Sequence, residues 1–184
     1  MDFKLIILII VILVCILYFI FTNNKLIKLD NQIKEAFSTM DVYLKKRWDL
    51  IPNIVEVVKG YAKHEEKTLT EVTEIRKVTY NKMSVEEKLN TNEDLSNKIA
   101  KIMLFVENYP DLKANENFKD LSKQLTKVED EIAQARKYYN ATVRDFNNKV
   151  EMFPSNVVAM ILGCKKARMF EIDATERENV KVEL

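Results

Sequence analysis

The chain has 184 residues, 47% apolar and 31% charged, enough for one domain of ordinary size. Its two Gly and three Pro, against about 13 and 9 at average usage, exclude a many-turned β fold and point to helices. The net charge of +1 gives no global field to gather nucleic acid, and two Cys with one His exclude a His- or Cys-rich zinc site, a disulfide framework and a c-type haem site.

Residues 5–21 (LIILIIVILVCILYFIF) run without a charge or strongly polar group, spanning about 26 Å at the helical rise, near the short end for a bilayer core of about 30 Å. Phe3 and Thr22 extend the run, and Lys4 can reach the headgroups. The reading is a transmembrane helix within residues 1–24. No small-x-small cleavage site precedes Asn23, Asn24 and Lys25, which argues against a cleaved signal peptide. Cys15 follows bulky Val14 and is followed by six more apolar residues, so it reads as a small apolar residue facing lipid rather than a lipidated one. Lys4 stands alone on the amino-terminal side, whereas Lys25, Lys28 and Lys34, then Lys45, Lys46 and Arg47, follow the span. That bias predicts a single-pass protein of the cell membrane with the large domain in the cytoplasm.

Leu26, Leu29, Ile33, Ala36, Phe37, Met40, Leu44 and Trp48 then recur at intervals of three and four, as an amphipathic helix requires. Pro52 in DLIPN predicts a boundary or a sharp kink. A second helix carries Ile54, Val58, Tyr61, Leu69, Val72 and Ile75, interrupted by the polar stretch HEEK and ending near Asn81. Ser84 with Glu87 has capping-box spacing, Asn92 offers a second cap, and the third helix follows with its seam at Leu95, Ile99, Ile102, Met103 and Val106. Asn108 to Asp111 read as a turn. The fourth helix is the clearest pattern: Phe118, Leu121, Leu125, Val128, Ile132, Ala135, Tyr139, Thr142, Phe146, Lys149 and Phe153, with Val150 as the apolar substitute for Lys149. Such a seam needs a bundle or coiled-coil partner. Pro154 ends it; a short apolar piece over 157–162, Gly163 and a basic cluster follow. The last fourteen residues carry five acids and two bases and read as a loosely ordered tail. The expectation is an all-α protein: an N-terminal transmembrane helix, an antiparallel up-and-down four-helix bundle over 25–170, and an acidic tail over 171–184.

Three separated segments resemble the LemA family: DVYLKKRWDLIPNIVEVVKGYAKHEEKTLTEVTEIRK over 41–77, YPDLKANENF from Tyr109, and RKYYNATVRDFNNKVEMFPSN from Arg136. The order of a short tail, one membrane helix and these blocks also matches. The resemblance implies an antiparallel helical bundle and bacterial, membrane-associated relatives, some involved in organising internal membrane compartments. It implies no established enzymatic activity and no catalytic residues. Trp48 stands where many members have His, so no obligatory catalytic His occupies that position here.

The remaining chemical candidates are weak. His64 before Glu65 invites a zinc peptidase reading, but the second His of that motif would fall at Thr68 and the chain has no other His. His64 reads as a residue on a polar helix face. Cys164 with His64 lacks an orienting third group. A carboxylate-bridged di-metal site needs the Glu-x-x-His motif twice, so Glu129, Asp130 and Glu131 read as a solvated face. Gly60 and Gly163 are isolated, which leaves no phosphate loop. The Asn140–Thr142 sequon falls on the apolar seam and reads as chance. No catalytic, metal or cofactor residues are expected.

Two basic clusters remain. Lys45, Lys46 and Arg47 read as a solvated helix end. Lys165, Lys166 and Arg168 follow Val157, Met160, Ile161 and Leu162, and these seven residues are the candidate membrane-surface contact, apolar groups at the acyl boundary and basic groups on headgroups. The functional expectation is a membrane-anchored, non-catalytic scaffold that binds membrane lipid and a protein partner, not nucleic acid. The rival is an enzyme or a regulatory subunit of a membrane enzyme such as a peptidase.

Overall fold

A computed structural model describes residues 2–61, 66–75 and 79–170. His64 and the acidic tail over 171–184 lie outside the described residues. The described residues are helical, with no strand among them: α1 (Phe3–Lys59), α2 (Glu66–Ile75), a 3-10 turn (Tyr80–Lys82), α3 (Val85–Val106), α4 (Pro110–Ala114), α5 (Glu116–Glu151) and α6 (Ser155–Ile161).

The apolar run, the expected first helix and the start of the second are one helix of 57 residues, α1, with Pro52 inside it. Pro52 thus marks no boundary. A mid-helix proline loses one backbone bond and clashes with the preceding turn, at about 3 kcal/mol. Against that, Trp48, Ile51, Ile54, Val55 and Val58 around it are all buried, and burial of each large apolar side chain is worth about 1.5–3 kcal/mol. Tertiary packing outweighs the local preference. The apolar run itself is 6% buried over its 18-residue window, long and apolar enough to cross a membrane. Burial on α1 starts at Thr22 and continues through Leu26, Leu29, Ile33, Ala36, Met40, Leu44 and Trp48, the stripe its periodicity predicts.

The chain divides into two units. One comprises Met1–Thr39 and Ala135–Phe170. Its core holds Leu26, Ile33 and Ala36 of α1 with Tyr139, Val143 and Phe146 of α5, and Phe37 meets the Tyr139 ring edge-on at 6.0 Å. The other is built on Met40–Gln134. There α1 supplies Met40 to Val58, α2 supplies Leu69 and Val72, α3 supplies Leu89, Leu95, Ile99 and Ile102, and α5 supplies Phe118, Leu125 and Ile132, all buried. Tyr61, expected on the seam, follows the end of α1 and is 41% exposed.

Ser84 caps α3 as its spacing predicts: its Oγ accepts from Glu87 N–H at 3.2 Å, and Glu87 accepts from Ser84 N–H at 2.7 Å. The second candidate cap, Asn92, is instead a fully buried residue within α3. The turn at Pro110 is a short helix with the proline at its first position, where the missing N–H costs nothing. The α5 seam is buried from Phe118 to Phe146 except for half-buried Leu121 and Val128, with Lys149 exposed and Val150 half-buried, but Phe153, expected to continue it, is 81% exposed. The helix stops at Glu151, so Phe153 no longer follows its period.

Candidate functional site

Two places combine chemistry with geometry. In the second unit, Arg47 lies in register with Leu44, Trp48 and Ile51 on the inner face of α1 and is only 1% exposed. Its Nη1 donates to Ser96 Oγ at 2.8 Å and to both Glu129 oxygens at 2.9 Å. Nη2 donates to the Asn92 carbonyl at 2.8 Å and to Asn92 Oδ1 at 2.9 Å, while Nε has no hydrogen-bond partner. Asn92 Nδ2 donates in turn to the Lys88 carbonyl at 2.7 Å. The solvated helix end expected at 45–47 is therefore wrong for Arg47, while Glu129 of the expected solvated acidic face is half-buried in this pair. A guanidinium in the core must be paired, and only its rigid fork reaches α3 and α5 together. Asn92 and Ser96, polar residues one turn apart among Leu89, Leu95 and Ile99, were the available signal.

Beside this network Tyr80 donates to Asp41 Oδ1 at 2.7 Å, and Lys88 pairs with Asp41 Oδ2 at 2.7 Å. The Lys88 ammonium lies 4.7 Å from the Tyr80 ring, which packs on Trp48 at 5.4 Å. Burial, then the hydrogen bond to Asp41, push the Tyr80 phenol far above its ordinary value. Apart from Arg47 Nε, every group here is engaged with another, which is the arrangement of a structural lock. On the outer side of α1 and α5 a cleft of about 560 Å³ is lined by Tyr43, Lys46, Asp49, Gln124, Lys127 and Glu131 among others. Among the described residues no three His, Cys, Asp or Glu gather where they could hold a metal.

The seven sequence-predicted surface residues fall in the first unit. Helix α6 buries Ser155, Val158 and Ala159, and turns Val157 (43% exposed), Met160 (74%) and Ile161 (65%) outward. Leu162 is exposed after it, as are Lys165, Lys166 and Arg168. The helix ends in a Schellman turn: Cys164 N–H bonds to the Ala159 carbonyl at 2.9 Å and Gly163 N–H to Met160 at 3.1 Å, with Gly163 at φ +69°. The chain then returns along α5. Asn147 exchanges two hydrogen bonds with the Ala167 backbone, at 2.9 and 3.0 Å, and Asn140, one heptad earlier, does the same with Phe170 at 2.8 Å. Tyr139 donates to the Arg168 carbonyl at 2.9 Å, and buried Phe170 lies under the Arg136 guanidinium at 5.4 Å. Lys166 stays near the helix end, paired with Glu151 at 2.7 Å, whereas Arg168 is held between Asn147 and Asn140, further from the tip. The heptad spacing of Asn140 and Asn147 is visible in the sequence, but the strap they hold depends on the turn at Gly163.

The LemA family profile matches residues 36–184. The chain belongs to the LemA family. Protein LemA of Metamycoplasma hominis is 28% identical to this LemA-family chain over 171 residues, covering 90% of this chain and 77% of that protein. Magnetosome protein MamQ 2 of Paramagnetospirillum magneticum is 31% identical over 83 residues, covering 45% of this chain but 30% of its own length. Magnetosome protein MamQ of Magnetospirillum gryphiswaldense is 29% identical over 82 residues, again 30% of its length. The family resemblance of the three sequence segments is confirmed over most of the chain.

Proposed function

We propose that this LemA-family chain is a membrane-anchored scaffold: the apolar start of α1 crosses the cell membrane, the helical remainder stands in the cytoplasm, and it holds a protein partner near the bilayer. The observation that carries the reading is the continuity of α1. Its exposed apolar run passes into the buried stripe from Leu26 onward with no intervening loop, so the anchor and the partner-holding helices share one element. An exposed run of large apolar side chains in water would be an aggregation hazard, and lipid removes that cost. The bias of lysines after the span supports the cytoplasmic side. Similarity to proteins named for the magnetosome, an internal membrane compartment, supports a membrane-organising role. In this reading the second unit is the helical bundle and the cleft over Lys46 and Lys127 faces the partner.

The test has two parts. The chain should remain with membranes through alkaline carbonate washing and be released by detergent. Crosslinked capture in detergent should then recover a partner with the intact chain and lose it when Lys46 and Lys127 are both changed to Glu. Release by carbonate would end the anchor reading; no reproducible partner, together with unaltered membrane morphology on depletion and overproduction, would end the scaffold reading.

A further inference from the structure

Helix α6 has the wrong outer face for water. A surface helix ordinarily turns polar residues outward, and one apolar on all sides is covered by something. The inner side of α6 holds Ser155, Val158 and Ala159 and the outer side Val157, Met160 and Ile161. With Met152 (61% exposed) and Phe153 (81%), the outer residues give the end of α5 an exposed apolar tip. The tip is not a frayed end. The Schellman turn and the strap to Asn147 and Asn140 fix the chain on the side where α6 leaves, so the outward face is built into the fold.

Position identifies the cover. A cleft of about 330 Å³ in the same unit is lined by Tyr18, Lys25 and Leu29 of α1 and by Met152, Phe153 and Pro154 of the tip. On α1 those residues straddle the change from the apolar run to Thr22, Asn23, Asn24 and Lys25. Tyr18 and Lys25 are seven residues apart, about 10 Å of helix, so the tip sits level with the membrane boundary that α1 itself defines. Charge agrees with position. Lys25 and Lys149 line or flank the cleft, and Lys165 and Lys166 follow the tip, against Asp145 and the Glu151 that pairs with Lys166. Aromatic and aliphatic groups flanked by lysines are the pattern of an element lying in the headgroup region of an anionic leaflet.

We propose that the α5–α6 tip is a second membrane contact: Phe153, Val157, Met160 and Ile161 insert at the acyl boundary of the bilayer that holds α1, while Lys165 and Lys166 meet anionic headgroups. This rests on the reading of α1 as an anchor. Two contacts on one leaflet fix the angle at which the helices leave the membrane, which a single span cannot do. Arg168, pinned further along α5 by its carbonyl, takes no part in the insertion.

The test uses the full chain with Cys15 and Cys164 changed to Ser and a single fluorophore attached at Met160→Cys, Leu13→Cys or Tyr138→Cys. All three positions are exposed, at 74%, 55% and 50%, so the label displaces no core. The proteins are reconstituted into phosphatidylcholine vesicles with and without phosphatidylserine, carrying a spin-labelled quencher in the acyl chains. The expected result is strong quenching at position 13, shallower quenching at 160 and none at 138, which is more than three turns up α5 from the tip. Phosphatidylserine should deepen the effect at 160, and changing Lys165 and Lys166 to Gln should lower the ratio of inserted to free tip about fivefold per lysine in those vesicles. Quenching at 13 with 160 as unquenched as 138 overturns the second contact and leaves the anchor standing; disulfide crosslinking through Met160→Cys would then identify a second copy as the cover. Absence of quenching at both 13 and 160 overturns the anchor and this proposal with it.

Discussion

A buried guanidinium is stable only while its partners stay in place, and Arg47 has partners on two other helices. Removing it leaves a cavity and strands the buried Asn92, so Arg47→Ala should cost about 3–5 kcal/mol, seen as a lower denaturant midpoint. Arg47→Lys should recover little, because one ammonium cannot replace a planar fork directed at α3 and α5. Glu129, whose side chain is 37% exposed, can rehydrate when Arg47 is lost, whereas Glu129→Gln leaves the buried guanidinium without a countercharge and should also cost about 3 kcal/mol. A loss below about 1 kcal/mol for Glu129→Gln would mean that the hydrogen bonds to Asn92 and Ser96, and not the ion pair, hold the guanidinium. Tyr80 supplies a pH signature from the same unit. Its folded phenol titrates above the ordinary value of 10.0, so folding favours the protonated form. Below pH 10 that preference costs nothing in the unfolded chain; above it the unfolded phenol ionises while the folded one does not, and stability falls as pH rises. Tyr80→Phe should lose about 1 kcal/mol at neutral pH with its Asp41 bond and should narrow its deficit to the parent above pH 10. A deficit that stays constant from pH 8 to pH 11 would remove the linkage.

At the scale of elements, the helical stripes were legible because each long helix buries one side and the period of that burial is written in the residues. Leu26 to Trp48 and Phe118 to Phe146 fall on the expected faces for this reason. What was not legible depends on contacts made across long stretches of sequence. Pro52 reads locally as a stop, yet the buried residues on both sides of it hold α1 together. Arg47 and Glu129 read as surface charges until α3 brings Asn92 and Ser96 between them. Phe153 reads as one more seam position until the helix is seen to end two residues earlier. The candidate membrane residues were legible as a composition, apolar then basic, but their height beside Tyr18 and Lys25 was not. Pro52 gives the sharpest test at this scale. If packing tolerates a local cost there, Pro52→Ala restores the bond to the Trp48 carbonyl, relieves the clash, and should raise stability by about 1–3 kcal/mol without changing helix content. A loss of stability would show that the break in the backbone ladder is itself needed for the packing of Trp48 and Ile51.

For the molecule as a whole, the exposed apolar run and the buried stripe of α1 differ in what they contribute to folding. Residues 5–17 are exposed throughout and pack on nothing described, whereas Leu26 is 2% exposed and opens the stripe on which α5 lies within the first unit. Apolar residues that bury no area in the protein supply none of its hydrophobic stabilisation. A chain lacking residues 1–24 should therefore stay folded: soluble without detergent, with a helical circular dichroism spectrum and a cooperative thermal transition. It should also keep the α6 tip, and so bind vesicles containing phosphatidylserine in sedimentation, weakly, in a manner that fades as salt screens Lys165 and Lys166. Vesicles of phosphatidylcholine alone should leave most of it in the supernatant. A truncated chain that precipitates in every buffer would mean that the apolar run packs against the helical units in the absence of lipid, and the division of α1 into anchor and core would have to be redrawn.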